Sequence, residues 1–316
     1  MTVPETNSLR QHETEIRHHV SRAELRCTRV RLDGYAYPHR VETDDFTTEL
    51  VLRERESGTE YRLPVTRTAS PCIGAEEDEE DEGRYSYEKA GFEADFDIDT
   101  VADGTPLADG LWDISLAVGA KALTREVRIG SSRADRLSGR PDVRIVETLR
   151  GRRAVTLYTT VPYGNYTIDL GERKHPVLKR LAFGDIRWHA GRPTELLITG
   201  RCTLGAYPRG ALTVHLSNAE EADATAVFTA VQPPHSEQFT VHVPVAELGP
   251  GVWSGELRLG ERALPLPQPP KGLGAVKWWR RSGLWHAKPV SRPGGGFALR
   301  VGRTGKAGLL RAAVRL

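Results

Sequence analysis

The sequence predicts an all-β fold, a tandem of antiparallel β-sandwiches, and three observations carry that prediction. The first is a two-residue period. In Gly91–Asp99 the residues Phe92, Ala94, Phe96 and Ile98 fall on one side and four carboxylates on the other. Trp112, Ile114, Leu116 and Val118 repeat the apolar half of the pattern behind Asp109-Gly110. The second is an internal repeat. Phe239, Val241, Val243 and Val245 alternate, Pro250-Gly251-Val252-Trp253 follows, and in both copies a Gly stands two residues before the Trp and another seven after it: Gly110, Trp112, Gly119 and Gly251, Trp253, Gly260. The third is turn spacing. Turns at Asp33-Gly34, Ser57-Gly58, Asp103-Gly104 and Asp109-Gly110 leave about ten to fifteen residues between strands, which suits an antiparallel sandwich better than alternating strands and helices.

Taken in order, residues 1–22 are polar, carry His12, His18 and His19, and show no apolar face, so a flexible N-terminal arm or short helix is expected. As metal ligands, His18 and His19 would need partners that the sequence does not supply. Strands are expected at Leu25–Leu32, Phe46–Arg55, Glu60–Thr66, the two organising stretches and Leu123–Ile129, giving a first sandwich over 23–137. A second, over 138–270, draws on Asp142–Thr148, Ala154–Tyr158, Tyr166–Leu170, Glu195–Thr199, Ala211–Leu216, Ala224–Ala230, Phe239–Val245 and Trp253–Leu259. Leu264–Pro270 is too rich in proline for a central strand and reads as an edge or an extended connector. Residues 271–316 form a basic, Trp-rich β segment packed on the second sandwich, with strands at Trp285–Val290, Phe297–Val301 and Leu309–Leu316 around a Gly294-Gly295-Gly296 turn. Helix signals such as Lys179–Phe183 are short and uncapped.

At 316 residues the chain is long enough for about two domains with separate cores, and 39% hydrophobic with 27% charged residues is ordinary globular composition. A net charge of +2 gives no global basicity that would call for nucleic acid. Charge is concentrated locally instead: Glu76–Glu82 is an unbroken acidic run, and Lys271–Leu316 contains Lys and Arg but no Asp or Glu. Cys27, Cys72 and Cys202 are odd in number and far apart, which argues against a disulfide framework and against a zinc site. Glu5, Arg10, Glu13 and Glu15 stand where a signal peptide needs an apolar run, and no apolar stretch approaches 18 residues. A cytoplasmic protein without a membrane span is expected.

Few patterns suggest chemistry. Asp95-x-Asp97-x-Asp99 resembles a divalent-metal carboxylate set, but such a set belongs where a strand ends in a loop, whereas these acids alternate with Phe96 and Ile98 and read as the wet face of a sheet. Glu76–Glu82 could collect calcium, though like charges in a row repel and favour a solvated loop. The most suggestive surface is Lys277–Lys288, with Trp278, Trp279, Arg280, Arg281, Trp285 and Lys288 as the candidate ligand-binding residues. Aromatic rings stack on sugar faces and cations meet phosphate or carboxylate groups. The competing reading is core packing, since strand spacing turns one of Trp278 and Trp279 inward. No nucleophile elbow, phosphate loop, dinucleotide fingerprint, zinc-protease motif or paired CxxC is present. His175, His189 and His215 read as surface or packing residues. No catalytic residue, cofactor or metal is assigned, and no nucleic-acid motif accompanies the basic aromatic stretch.

Glu60–Thr68, Tyr87–Ala94, Asp109–Asp113 and Leu123–Gly130 together resemble the immunoglobulin-like accessory region at the C-terminus of actinobacterial family-2 glycosyltransferases and related glycerophosphotransferases that build cell-wall polymers. The resemblance is good over Leu25–Arg133 and loose beyond. It implies immunoglobulin-like sandwiches without the α/β catalytic domain, and a role in oligomerisation or in binding the polymer acceptor. The leading expectation is a non-catalytic accessory protein that binds a carbohydrate, an anionic cell-wall polymer or a partner transferase. Two alternatives stand beside it: a glycosyl- or glycerophospho-transferase with an unrecognised site, and a purely structural module for homo-oligomerisation.

Overall fold

In a computed structural model, the structure describes residues 15–41, 46–70, 86–120, 123–130, 141–208, 210–221, 223–292 and 295–304. The acidic run Glu76–Glu82, Cys72 and the strand expected at Leu309–Leu316 lie outside them. The chain divides into two compact units, Met1–His175 and Pro176–Leu316.

The first unit contains β1 (Ile16–Arg26), β2 (Arg29–Pro38), β3 (Phe46–Glu54), β4 (Glu60–Pro64), β5 (Thr66–Thr68) and β6 (Gly91–Asp97). After one helical turn over Val101–Gly104 come β7 (Gly110–Ala120), β8 (Leu123–Arg128), β9 (Asp142–Thr148), β10 (Gly151–Thr159) and β11 (Tyr166–Leu170). Among the described residues they pair antiparallel into two sheets, β1-β2-β6-β5 and β4-β3-β7-β11-β10-β9, with β8 also on β7. Pro64 has no N–H for a ladder, and the chain changes sheets directly after it: β4 lies on β3, whereas β5 lies on β6. One apolar cluster joins the two sheets. Leu32, Phe92, Ala94 and Phe96 enter it from one side and Leu50, Leu52, Trp112, Ile114, Leu116 and Ile168 from the other. Burying such a side chain is worth about 1.5–3 kcal/mol, and a one-residue slip would turn a whole strand's set outward, so the alternation fixes the register.

The structure corrects several details. Leu25–Leu32 is not one strand but the tip of the β1–β2 hairpin, turned at Cys27-Thr28, with Cys27 at φ 52°. Asp33-Gly34 is not a turn: Gly34 lies inside β2, where a Cβ would stand 2.2 Å from the His19 carbonyl oxygen. Its glycine admits a close backbone approach beside the bulge at Val20/Arg22. Ile16–Arg22, placed with the N-terminal arm by its polarity, belongs to β1. Strands β9 to β11 extend the first unit, because β11 hydrogen-bonds to β7 from Asp113 to Gly110.

The second unit opens with a 3-10 turn over Val177–Arg180 that leads into β12 (Leu181–His189), β13 (Arg192–Cys202), β14 (Leu212–Asn218), β15 (Thr225–Val231) and β16 (Gln238–Pro244). Next are β17 (Gly251–Leu259), β18 (Arg262–Pro265), β19 (Val276–Arg280), β20 (Gly283–Ser291) and β21 (Phe297–Arg303). The ladder order is β12-β13-β16-β15-β14-β17-β21-β20-β19, with β18 on the side of β17. Strand β15 serves two ladders: Thr225–Thr229 pair with β14, and Ala230 and Val231 pair with β16. Leu196, Ile198, Val241, Val243, Val214, Leu216, Leu257 and Leu259 are all buried, as alternation requires.

The Gly-x-Trp repeat now has a physical account. Glu54 ends β3 in register with Trp112, and Asn218 ends β14 in register with Trp253. The backbone around them repeats bond for bond. The N–H of Glu54 donates to the Thr59 carbonyl and that of Arg55 to Leu111; the N–H of Asn218 donates to Ala224 and that of Ala219 to Val252. Each indole Nε1 donates four residues back, Trp112 to the Ala108 carbonyl and Trp253 to that of Gly249, both at 3.0 Å. The polar side chain at each strand end holds the following turn. Glu54 Oε2 accepts the N–H groups of Glu56 and Ser57 at 2.9 and 2.6 Å, and Asn218 Oδ1 accepts that of Glu220 at 3.0 Å. These side chains lie against the glycines. A Cβ on Gly110 would stand 2.6 Å from Glu54 Oε1, and one on Gly251 would stand 2.3 Å from Asn218 Oδ1. Gly251 also has φ 133°, which side-chain-bearing residues rarely adopt.

Candidate functional site

The hairpin β19–β20 sorts the six candidate residues onto different surfaces. Trp278 pairs directly with Trp285, Trp279 with Leu284 and Arg280 with Gly283. Alternation therefore puts Trp278, Arg280 and Trp285 on one face. Trp285 is buried and its Nε1 donates to Ser282 Oγ at 2.9 Å. The Arg280 guanidinium lies 4.4 Å over the Trp285 ring and 5.8 Å from that of Trp278, and its Nη2 donates to the Leu248 carbonyl at 3.2 Å. These three residues are packing residues, with a cation held between two rings. Arg281 sits in the turn, exposed.

On the opposite face of the hairpin Leu284 is buried, and the other positions are half-buried or exposed. Trp279 is 72% exposed. On the same face the register brings Lys277 opposite His286 and Lys288 opposite Arg300 of β21. Lys277, Arg281, Lys288 and Arg300 form no ion pair with a described residue, and Lys288 and Arg300 are exposed. Arg300 was not among the expected residues; its period in Phe297–Val301 puts it outward, but only the β20–β21 register shows that it faces Lys288.

Elsewhere arginines are committed to carboxylates. Across β2 and β6, Arg29 holds Asp95 at 2.6 Å and Arg31 holds Asp33 at 3.2 Å and Glu93 at 3.3 Å. Arg53 bridges Glu60 and Glu126 at 2.7 and 2.6 Å, and Asp113 accepts from Arg55 at 2.7 Å and from Arg128 at 2.6 Å. Asp95 and Asp97 thus belong to a charge-balanced wet face, as expected. Asp99 does not. Strand β6 ends at Asp97, and the turn carries Asp99 inward, where it is buried and its Oδ2 accepts the Leu149 N–H at 2.9 Å. Among the described residues no cluster of His, Cys, Asp and Glu could hold a metal ion.

The histidines have packing partners. His175 Nδ1 meets Asp169 Oδ2 at 3.1 Å, and its ring meets Tyr158 edge-on at 4.3 Å. His242 and Arg192 flank Glu195, and the His242 contact is the main reason that carboxyl lies below its usual range. Burial lowers the pKa of His215, whose Nε2 lies 3.0 Å from Thr213 Oγ1.

The family model for the TarS beta-glycosyltransferase C-terminal domain 1 matches residues 10–170, just over half of the chain. The chain belongs to the TarS C-terminal domain 1 family. The matched residues nearly coincide with the first unit, Met1–His175. At this level the expected resemblance to a glycosyltransferase's C-terminal accessory region holds. Solved structures similar to the chain include two of S. aureus TarS. That of S. aureus TarS shares 11% identity, with a TM-score of 0.40 over 72% of this chain and 35% of that one. The S. aureus TarS fragment 217-571 shares 12% identity, with a TM-score of 0.40 over 80% of this chain and 62% of that one. The chain therefore spans about a third of TarS and three-fifths of the fragment. No curated protein matches the sequence. No helix among the described residues is long and apolar enough to cross a membrane.

Proposed function

We propose that this chain is a non-catalytic accessory module of a glycosyltransferase, and that it holds an anionic carbohydrate polymer of the cell wall against the outward face of β19, β20 and β21. The observation that carries the reading is a contrast in how cations are used. Arg29, Arg31, Arg53, Arg55 and Arg128 pair with neighbouring carboxylates, whereas Lys277, Arg281, Lys288 and Arg300 form no ion pair with a described residue, on the strands and turn that also carry the exposed Trp279. A surface of one sign beside an aromatic ring suits a ligand that alternates anionic links with sugar or alditol faces. Trp279, Arg281 and Lys288 remain the contacts proposed from the sequence, joined by Lys277 and Arg300; Trp278, Arg280 and Trp285 support them from below.

The triple variant Lys277→Glu, Lys288→Glu and Arg300→Glu tests this. Exposed charge contacts are worth about 0.5 kcal/mol each, so losing three should weaken binding of a phosphodiester-linked teichoic polymer about tenfold. Added salt should reproduce part of that loss by screening. Calorimetric titration with neutral dextran as the control measures it. Equal affinity of the variant and the wild type would place the polymer elsewhere.

A further inference from the structure

Where β15 leaves β14 to join β16, the sheet opens into a cleft of about 830 Å³ within the second unit. Small-ligand pockets usually measure about 300–1,000 Å³. Its walls are the end of β13 at Cys202, the 204–207 loop and the turn from β15 to β16. Three properties set what can enter. Gln232 spans the cleft: its Oε1 accepts from the Tyr207 hydroxyl and its Nε2 donates to the Ser236 carbonyl. The Tyr207 hydroxyl also meets the Cys202 thiol, and the Gln232 amide carries both a donor and an acceptor, so the site can both donate and accept. Burial, with Cys202 alongside, raises the Tyr207 pKa and keeps the phenol neutral. Next, the mouth is apolar: Val231 is 60% exposed, and Pro233 and Pro234 are exposed beside it. Last, Glu237, the acid among the described lining residues, is paired with Arg201.

His235, at the tip of the turn between β15 and β16, also lines the cleft. Charge-neutral donors and acceptors beside apolar walls match a polyhydroxylated molecule, whose hydroxyls need both kinds of partner and whose C–H face needs an apolar surface. We propose that this cleft binds one neutral sugar or alditol unit, with its hydroxyls on Tyr207 and Gln232 and its C–H face on Val231 and Pro233.

The test is saturation-transfer NMR on the full chain with glucose, maltotriose, xylitol and glucose 6-phosphate. Glucose and maltotriose separate a free sugar from a unit of a polymer. A ligand of about a dozen heavy atoms should bind with Kd of order 1 mM. Val231→Arg fills the mouth from an exposed position, so it should abolish transfer with the fold intact, and Gln232→Ala should weaken it about tenfold. The Lys277/Lys288/Arg300 variant should bind as wild type does, which keeps this site separate from the proposed polymer face. No transfer to any neutral compound, transfer unaffected by Val231→Arg, or a preference for glucose 6-phosphate over glucose would each overturn the assignment.

Discussion

Trp112→Ala should destabilise the first unit by about 3–5 kcal/mol, the range for deleting a large buried aromatic side chain. Trp112 is 1% exposed, stacks on Tyr61 with ring centroids 5.6 Å apart, and donates from Nε1 to Ala108. Alanine removes the ring and leaves a cavity between the two sheets. For a unit of this size the loss corresponds to a fall in Tm of about 10 °C. Trp253→Ala, at the equivalent position of the second unit, should cost a similar amount. Trp112→Phe separates the contributions: it keeps most of the apolar area but leaves the Ala108 carbonyl without its donor, which should cost about 1–3 kcal/mol. Gly110→Ala and Gly251→Ala should also destabilise, by pushing a Cβ into Glu54 and Asn218, and Gly251 adds backbone strain. Urea melts of the full chain followed by circular dichroism would measure all five. Melts of the two tryptophan-to-alanine variants that overlay the wild type would show that these corners do not hold the units together.

The repeat that predicts this was visible in the sequence, but its partners were not. Gly-x-Trp occurs twice at matching positions along a strand, so the two tryptophans could be placed on buried faces by counting alone. Glu54 and Asn218 differ in type and charge, and they become equivalent only through the register that puts each opposite its tryptophan. A local pattern fixes which face a residue takes; long-range pairing fixes what it meets. The same limit explains β9 to β11. Their alternation showed them to be strands, but attachment to β7 depends on hydrogen bonds between segments more than 50 residues apart. Gly34 failed for the converse reason: Asp-Gly is a strong turn signal, and only the close passage of the His19 carbonyl shows why glycine is needed in mid-strand.

At the candidate site, alternation required one of Trp278 and Trp279 to be buried and left open which. Burial of the partner strand does not make the choice, because Trp285 opposite Trp278 and Leu284 opposite Trp279 are both buried; the structure leaves Trp278 half-buried beside Arg280 and Trp279 72% exposed. Arg280 shares Trp278's parity, so its guanidinium packs on two rings, a contact that only the pairing of β19 with β20 reveals. The cleft at Tyr207 had no signature at all. Tyr207 and Gln232 are separated by 25 positions, and the cleft lies where one strand divides its ladder between two neighbours.

Asp169→Ala should destabilise the first unit by about 3–5 kcal/mol, as expected when one member of a buried, hydrogen-bonded charge cluster is removed. Asp169 is 1% exposed at the end of β11, and the next five residues fold back onto it. Its Oδ1 accepts the Arg173 N–H at 2.9 Å, and its Oδ2 accepts those of Lys174 and His175 at 2.9 and 2.7 Å together with the His175 ring. That fold places the Lys174 ammonium 4.7 Å over the Tyr158 ring. Alanine leaves three backbone donors without their acceptor, whereas Asp169→Asn keeps one acceptor oxygen and should cost less. Acid offers a second handle. Burial pushes the Asp169 carboxyl up, but the hydrogen bonds from His175, Lys174 and Arg173 outweigh it and hold the pKa below the ordinary value. The unfolded chain therefore binds its proton first as the pH falls. The stabilisation is fully present above the unfolded carboxylate value of about 3.9 and disappears as pH drops through the lower folded value. The gap between the wild type and Asp169→Asn should accordingly be widest at neutral pH and shrink in acid, with faster amide exchange at Arg173, Lys174 and His175 in the variant. A gap that stayed constant across that range would mean the carboxylate's charge contributes nothing, leaving only the shape of its oxygens to order the turn.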